Sequence, residues 1–402
     1  MSTATEGAPP EPPLRTIVLL ALAAFGGALN IRISDSLLPQ VAAGFSTTVG
    51  SAAIIVTAFT VGYGLFQLVF GPVGDRFGKY RVAGIMSLGA GIATTFAAFA
   101  ETLGHLTLAR FAAGAISSAI IPLAFAWIGD AIAFERRQAV LARFLTAQFS
   151  GILLSQAAGG YIGAQFGWRT VFVVVGVVHL IAGIALLTEL KLNPGAQPVG
   201  APGANSFRAT LDGSRKILAR PFVRVMLVAV FLEAFAMYGA FSYVGADLVH
   251  RLGASFAVAG MVLAVFGAGA LGYSFSARWM LTRFGERGLV MLGGGVIAAG
   301  FALLAIAPSV ALTIPPLVLL GFGFYMFHNT LQNNATQMAP EARGLAVSVF
   351  AFFLFIGQSI GVALAAPIVD RYGTPPVYLA AAILLPLTAL WFRRRLATRE
   401  LI

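Results

Sequence analysis

Residues 71–81 read GPVGDRFGKYR. They follow an apolar run over 50–71 and precede another over 81–100. Asp75, Arg76, Lys79 and Arg81, packed into a short stretch between two such runs, mark a tight turn at a membrane surface. The chain repeats that turn. Asp75-Arg76-Phe77-Gly78 is echoed by Thr282-Arg283-Phe284-Gly285. Glu135-Arg136-Arg137-Gln138 is echoed by Glu341-Ala342-Arg343-Gly344, and Gln165-Phe166-Gly167 by Arg371-Tyr372-Gly373. Each pair lies about 206 residues apart, half the chain, so the sequence reads as one unit written twice.

Composition says what the unit is. The chain has 402 residues, of which 58% are hydrophobic and 10% charged, with mean hydropathy +0.88. A soluble domain carries about 25% charged residues, so most of this chain does not face water. A membrane-crossing helix needs about 20 apolar residues. Twelve such runs are present: 15–41, 50–71, 81–100, 105–128, 138–164, 168–189, 221–248, 255–281, 288–307, 311–335, 344–368 and 374–392. The expected fold is an all-α membrane protein, with twelve transmembrane helices in two pseudo-symmetric six-helix bundles and a cavity between them. The expected domains are a disordered cytoplasmic N-terminus over 1–14, a first bundle over 15–190, a cytoplasmic linker rich in Gly and Pro over 191–220, a second bundle over 221–395, and a cytoplasmic tail over 396–402. No signal peptide is visible, so the first apolar run is expected to stay as a span.

Orientation follows from the basic residues. With the N-terminus in the cytoplasm, the outer loops hold only Arg169, Arg251 and Arg371. Arg32 and Arg110 fall within spans, and the rest of the 26 Lys and Arg lie on the cytoplasmic side. This places both termini in the cytoplasm of a bacterial inner-membrane protein. It also explains a pI near 10.5 without nucleic acid, because the basic loops face anionic lipid. Cysteine is absent, which excludes disulfides and thiolate metal sites. No metal-ligand spacing, nucleophile turn or Walker loop is present. No cofactor is expected and the protein is not expected to be an enzyme. Its expected partners are a small-molecule substrate, protons and the lipid bilayer, with the chain acting as a monomer.

The 71–81 stretch resembles the loop motif of the major facilitator superfamily, Gly-x-x-x-Asp-Arg-x-Gly-Arg/Lys-x-Arg, through Gly71, Asp75, Arg76, Gly78, Lys79 and Arg81. The resemblance covers roughly residues 15–395. It implies a cytoplasmic latch: Gly71 lets a neighbouring helix pack closely, Asp75 accepts from the start of the eleventh span, and Arg136 or Arg137 pairs with it. Arg110 followed by Gly114 is similar to the family's fourth-span arginine and glycine. Asp35 with Pro39, and Gly167-Trp168-Arg169, resemble the drug–proton antiporter branch. One departure stands out. Where that branch carries Gly-Pro-x-x-Gly-Gly in the fifth span, residues 155–160 read SQAAGG, which keeps Gly159 and Gly160 but not the Gly-Pro.

Ionisable residues inside spans are functional candidates, because each costs about 2.5–3.5 kcal/mol to insert. Arg32 and Asp35 are three residues apart on one face of the first span, and Arg110 lies ~8 Å below the outer end of the fourth. The three are expected to form a cavity-facing substrate cluster; the alternative is a self-neutralised Arg32–Asp35 pair that orients the helix. Glu233, ~18 Å into the seventh span, has no basic neighbour on its own helix. It is the first candidate for proton coupling, with Asp35 and His328 beside it; the alternative is a carboxyl hydrogen-bonded to another helix. His328, Asn329 and Gln332 of the tenth span and Gln156 of the fifth complete the substrate-binding candidates. His179 reads as structural. Asp130, Asp247 and His250 fall near span ends and read as solvated. The leading functional reading is a proton-driven efflux antiporter for a small organic compound. The other is a proton symporter or uniporter for an organic anion or zwitterion, suggested by Arg32 and Arg110.

Overall fold

The computed structural model describes residues 14–197, 207–339 and 342–397. Residues 1–13 of the expected N-terminal tail, 198–206 of the linker and 398–402 of the C-terminal tail lie outside the described residues. The described chain is helical from end to end. In its first part run α1 (Leu14–Gly44), α2 (Val49–Ala52), α3 (Ile54–Phe77), α4 (Lys79–Ala97), α5 (Leu103–Ser117), α6 (Ile120–Ala131), α7 (Phe134–Phe166) and α8 (Trp168–Leu192). Then follow α9 (Phe207–Ala219), α10 (Pro221–Phe241), α11 (Val244–His250), α12 (Phe256–Ile306), α13 (Ile314–Ala335), α14 (Arg343–Tyr372) and α15 (Pro375–Ala397). The reason is the solvent. In hydrocarbon a backbone must satisfy its own polar groups, and a helix does so within one segment.

Nine segments among the described residues are long and apolar enough to cross a membrane. Some are pairs of helices read together, such as α2–α3 and α5–α6, and one is the 51-residue α12. That helix is broken at Gly285, whose φ of +63° is non-helical. Its repeat partner Gly78 has φ +94°, and the pair Gly167 and Gly373 have φ +82° and +77°. A side chain strains in that left-handed region while glycine does not, so the sequence echo is kept as a backbone echo. α4 begins with Lys79 and Arg81, and α7 carries Arg136, Arg137 and Arg143 in its first part and Gln148 and Gln156 beyond, so both are more polar than those nine.

Within the expected linker, residues 207–219 form α9, an amphipathic helix with Ile217 buried and Arg215 and Lys216 exposed. Leu396 and Ala397 belong to the end of α15 rather than to a tail.

Hydroxyl and proline caps set several starts. Thr48 accepts from Ser51 N before α2, Thr102 accepts from His105 N before α5, and Pro221 opens α10. α1 packs on α7 and α8, α3 on α5, and α4 on α8. Later in the chain α10 packs on α14 and α15, and α12 on α13 and α15. The two parts of the chain meet along α3–α14 and α7–α12.

Burial along these seams is uneven. One apolar core runs through both parts, joining Leu37, Leu38 and Phe172 to Tyr243, Leu263 and Tyr378. It sits at the end of the molecule remote from the basic loops, here called the far end. At the opposite, basic end there are two separate cores. One is built on Tyr80, Trp127 and Phe144, the other on Met226, Phe327 and Phe392. The far end is shut; the basic end is where the two parts come apart.

Candidate functional site

Where the seams close, four polar side chains meet beneath the far-end core. Arg32 and Asp35 share a face of α1, with Arg32 Nη1 3.5 Å from Asp35 Oδ2. Gln156 of α7 donates to the same carboxylate oxygen at 3.4 Å. Arg32 Nη2 donates to Gln358 of α14 at 3.4 Å. The Arg32 guanidinium lies flat on the Tyr238 ring of α10, 3.6 Å from its centroid; desolvated contacts of that kind are worth about 2 kcal/mol. All four polar residues are buried, with Asp35 only 1% exposed. The polar links are long for buried ones, and Arg32 Nη1, Asp35 Oδ1, Gln156 Oε1 and Gln358 Nε2 have no hydrogen-bond partner. Removing one member of a buried ion pair costs about 3–5 kcal/mol, since the other is left uncompensated.

A second pair lies deeper in the other part of the chain. His328 Nδ1 of α13 is 2.8 Å from Glu233 Oε2 of α10. The His328 ring stacks on Phe324 at 4.8 Å, and Phe324 in turn meets Tyr238 at 5.4 Å. Glu233 is fully buried, and its Oε1 has no hydrogen-bond partner. The sequence shows no basic residue near Glu233 on its own helix, and that holds; its partner comes from another helix instead. Asn329 is half-buried, and Gln332, one turn beyond His328, is exposed toward the basic end.

Arg110 does not join Arg32 and Asp35 as expected. Its Nη2 donates to the Asn30 carbonyl at 3.0 Å and its Nη1 to the Asn30 side chain, while Phe59 lies 4.2 Å beneath the guanidinium. Asn30 also donates to Thr94 at 2.7 Å and stands 3.5 Å from His179 Nε2. Arg110 and His179 therefore belong to a buried network that ties α1 to α4, α5 and α8, and the expected three-residue cluster divides into two sites.

The latch residues of the 71–81 stretch are apart from the helix they were expected to hold. Asp75 pairs with Lys79 at 3.0 Å, and Lys79 also reaches Asp130. A side chain at Gly71 would meet nothing within 4 Å, so no helix packs closely there, and the same is true at Gly344 in the first turn of α14. Arg76 is exposed over Phe77, Arg136 is exposed, and Arg137 donates to the Gly129 and Ile132 carbonyls. Gly78 turns beneath Gln197, whose Oε1 accepts from Arg81 N at 3.2 Å. Partial burial would lower Lys79, but the Asp130 and Asp75 carboxylates more than offset this and hold it above the usual lysine value. Asp130, read as solvated, thus carries a partner.

At the far end the same two helices are joined. Thr48 Oγ1 donates to Asp370 Oδ2 at 2.6 Å and Gly50 N donates to Asp370 Oδ1 at 2.7 Å. The last turn of α14 thereby caps the start of α2, the short helix that leads into α3. Farther along, Gly160 of α7 meets Gly260 of α12 so closely that an added Cβ would lie 2.5 Å from the Gly260 Cα. Of the two glycines kept in SQAAGG, Gly160 makes that approach, while Gly159 faces Ser36 and Ile33 of α1. Asp247 is a correction: read as solvated, it is 3% exposed and held by a forked Arg251 at 2.7 and 2.6 Å, with Thr374 donating to it. Sequence reasoning missed Asp370, Tyr238 and Asn30 altogether. Asp370 carried a signal, one carboxylate close before a repeated Gly turn; Tyr238 and Asn30 carried none.

Closed at one end, parted at the other, and with titratable groups buried where the parts meet, the arrangement is that of a membrane transporter. The profile of the Major Facilitator Superfamily matches residues 20–362 and 246–400. The chain belongs to this superfamily and is a transporter of that class rather than an enzyme. It is 24% identical over 380 residues to the uncharacterized MFS-type transporter YwfA of Bacillus subtilis, covering 92% of this chain and 89% of that one. It is 24% identical over 336 residues to the multidrug resistance protein MdtL of Klebsiella pneumoniae, covering 82% of each. In fold it is similar to a bacterial homologue of the human lysosomal transporter Spinster, solved inward-facing and unoccupied, with TM-score 0.79, 18% identity and coverage of 97% and 98%. With bacterial relatives of this kind, it is a multi-pass inner-membrane protein.

Proposed function

We propose that this protein exports a small organic compound across the cytoplasmic membrane by alternating access, in exchange for protons. In this reading twelve helices form two six-helix bundles, over 15–190 and 221–395, with both termini in the cytoplasm by the placement of the basic loops. The far end is then the outer face. The similarity to a multidrug resistance protein supports the direction.

The observation that carries the coupling is the Glu233–His328 contact at 2.8 Å, buried between α10 and α13 and one aromatic ring away from Tyr238. A carboxyl–imidazole pair holds one proton between two acceptors and releases it when the geometry opens. The substrate sits on Arg32, Asp35 and Gln156, with Asn329 and Gln332 along the way to the basic end. Asp35 is the second proton candidate. The stretch Gly71, Asp75, Arg76, Gly78, Lys79 and Arg81, with Arg136 and Arg137, closes the basic end in the opposite state.

The test is transport by the purified protein in liposomes under an imposed pH gradient, with a panel of organic acids, amines, zwitterions and dyes. Glu233→Gln is expected to abolish the pH-driven component. Undiminished pH-driven transport by that variant would sink the assignment. A second reading has its own observation: Arg32 cannot shed its charge, and its Nη1 has no hydrogen-bond partner. It favours symport or uniport of an organic anion or zwitterion, and appears in the same assay as uptake rather than export.

A further inference from the structure

The four side chains at the closed ceiling form a matched frame. Arg32 Nη1, ion-paired with Asp35 Oδ2 at 3.5 Å, and Gln358 Nε2 donate no hydrogen bond; Asp35 Oδ1 and Gln156 Oε1 accept none, and Ser242 of the α10 end faces the Asp35 carboxyl. The glutamine orientations are fixed by charged neighbours, since Gln156 must donate to Asp35 and Gln358 must accept from Arg32. Four residues from three helices thus offer two donors beside two acceptors, all more than nine-tenths buried, joined only by contacts of 3.4 to 3.5 Å. The frame has no net charge.

Charge conservation then selects among ligands. Arg32 stays protonated in any protein environment. A cation that pairs with Asp35 takes away the counter-ion of Arg32 and leaves that charge buried and alone. An anion on Arg32 does the same to Asp35, unless Asp35 first takes up a proton. A zwitterion exchanges for both at once and leaves the buried charge unaltered. Its carboxylate takes the donors of Arg32 and Gln358, and its ammonium takes the acceptors of Asp35 and Gln156. Arg32 and Asp35 stand one helical turn apart on α1, about 5–6 Å between Cβ atoms. That spacing suits a ligand whose charges sit on neighbouring carbons. Beside the frame lie the Tyr238 ring and, 5.4 Å from it, Phe324. Packed edge to face, they offer an apolar wall for the remainder of the molecule.

The geometry points to a zwitterionic substrate of amino-acid type with an aromatic or bulky apolar side chain, bound by exchanging its two charges for the Arg32–Asp35 pair. This rests on the reading of these residues as the substrate site, and deepens it.

Calorimetric titration of the purified full chain in detergent tests it with three probes on one skeleton: phenylalanine, hydrocinnamate and phenethylamine, a zwitterion, an anion and a cation. The wild type is expected to bind phenylalanine about tenfold or more tighter than either analogue. Arg32→Gln should shift the preference to phenethylamine, and Asp35→Asn to hydrocinnamate. Each single variant leaves one charge unpaired, so the double variant Arg32→Gln/Asp35→Asn serves as the folding control. It should melt no lower than either single variant, the loss of the Tyr238 contact being common to it and Arg32→Gln, and lose phenylalanine binding about tenfold or more. Wild-type preference for phenethylamine overturns the proposal. So does a charge preference unchanged in both single variants, or no binding of any of the three probes. The transport reading fails by a different result, unimpaired pH-driven transport by Glu233→Gln.

Discussion

At the far end of the α3–α14 pair, Asp370 accepts from Thr48 Oγ1 and Gly50 N, so the last turn of α14 caps α2, the short helix that leads into α3. At the basic end, Asp75 occupies the corresponding place on α3, near its last turn, with the start of α14 opposite. There the carboxylate turns aside to Lys79 at 3.0 Å, and nothing packs within 4 Å of a side chain placed at Gly71 or Gly344. The helices are antiparallel, so each end offers a carboxylate and an open helix N-terminus, a pairing that the helix dipole favours. The difference is which carboxylate has found its N-terminus. Conformation is written in that choice, and apolar burial follows it: one shared core where the clasp is made, two separate cores where it is not.

This contrast can be broken from either end. The chain contains no cysteine, so a single Ser36→Cys, buried on the far-end face of α1, reports opening by its rate of maleimide labelling. The largest effect is expected from Gly160→Leu. Overpacking against Gly260 costs about 1–3 kcal/mol in the shut state, so labelling should rise on the order of tenfold and transport should fall. Asp370→Ala removes two hydrogen bonds from a clasp that stands partly in water. The loss is about 1 kcal/mol, or roughly fivefold in the shut population, read by the same labelling. Asp75→Asn should leave both labelling and melting temperature nearly unchanged, because an exposed i,i+4 pair is worth about 0.3–0.5 kcal/mol. It should still slow turnover if, as proposed above, that carboxylate closes the basic end in the opposite state. The smallest effect concerns Lys79. Its value is held above that of a free lysine, so its contribution is complete below the ordinary pKa of about 10.4. That contribution is lost only as pH rises through the raised value. A melting curve taken from pH 6 to 9 should show no slope that Lys79→Gln removes.

Much of this was legible in the sequence because it depends on local chemistry. The repeated Asp75–Gly78 and Thr282–Gly285 stretches pointed to one turn written twice, and the glycine of each has positive φ. The intramembrane charges at Arg32, Asp35, Arg110 and Glu233 identified themselves by what they cost. What stayed hidden was who meets whom. Glu233 and His328 are 95 residues apart, and Asp370 and Thr48 are 322 apart. Helical spacing gives the face a residue occupies on its own helix but not how two helices are rotated against each other. For that reason Arg110, level with Arg32 by depth, turned out to face Asn30 and a different set of helices. The SQAAGG stretch keeps close packing without the Gly-Pro: Gly160 meets Gly260 of α12 and Gly159 meets Ser36 of α1.

The Thr60–Ser359 contact, 2.7 Å between hydroxyl oxygens, sits partway along the α3–α14 seam. In mechanical terms it is a fulcrum. Asp370 is eleven positions from Ser359 and Arg343 sixteen positions the other way, which makes arms of roughly 16 and 24 Å at the rise of a helix. A rock of about 10° then moves the far end by roughly 3 Å and the basic end by roughly 4 Å. The first is enough to part hydrogen bonds of 2.6 and 2.7 Å. The second carries the start of α14 in the direction of Asp75. Leverage of this kind lets one small rotation undo one clasp while the other is being made.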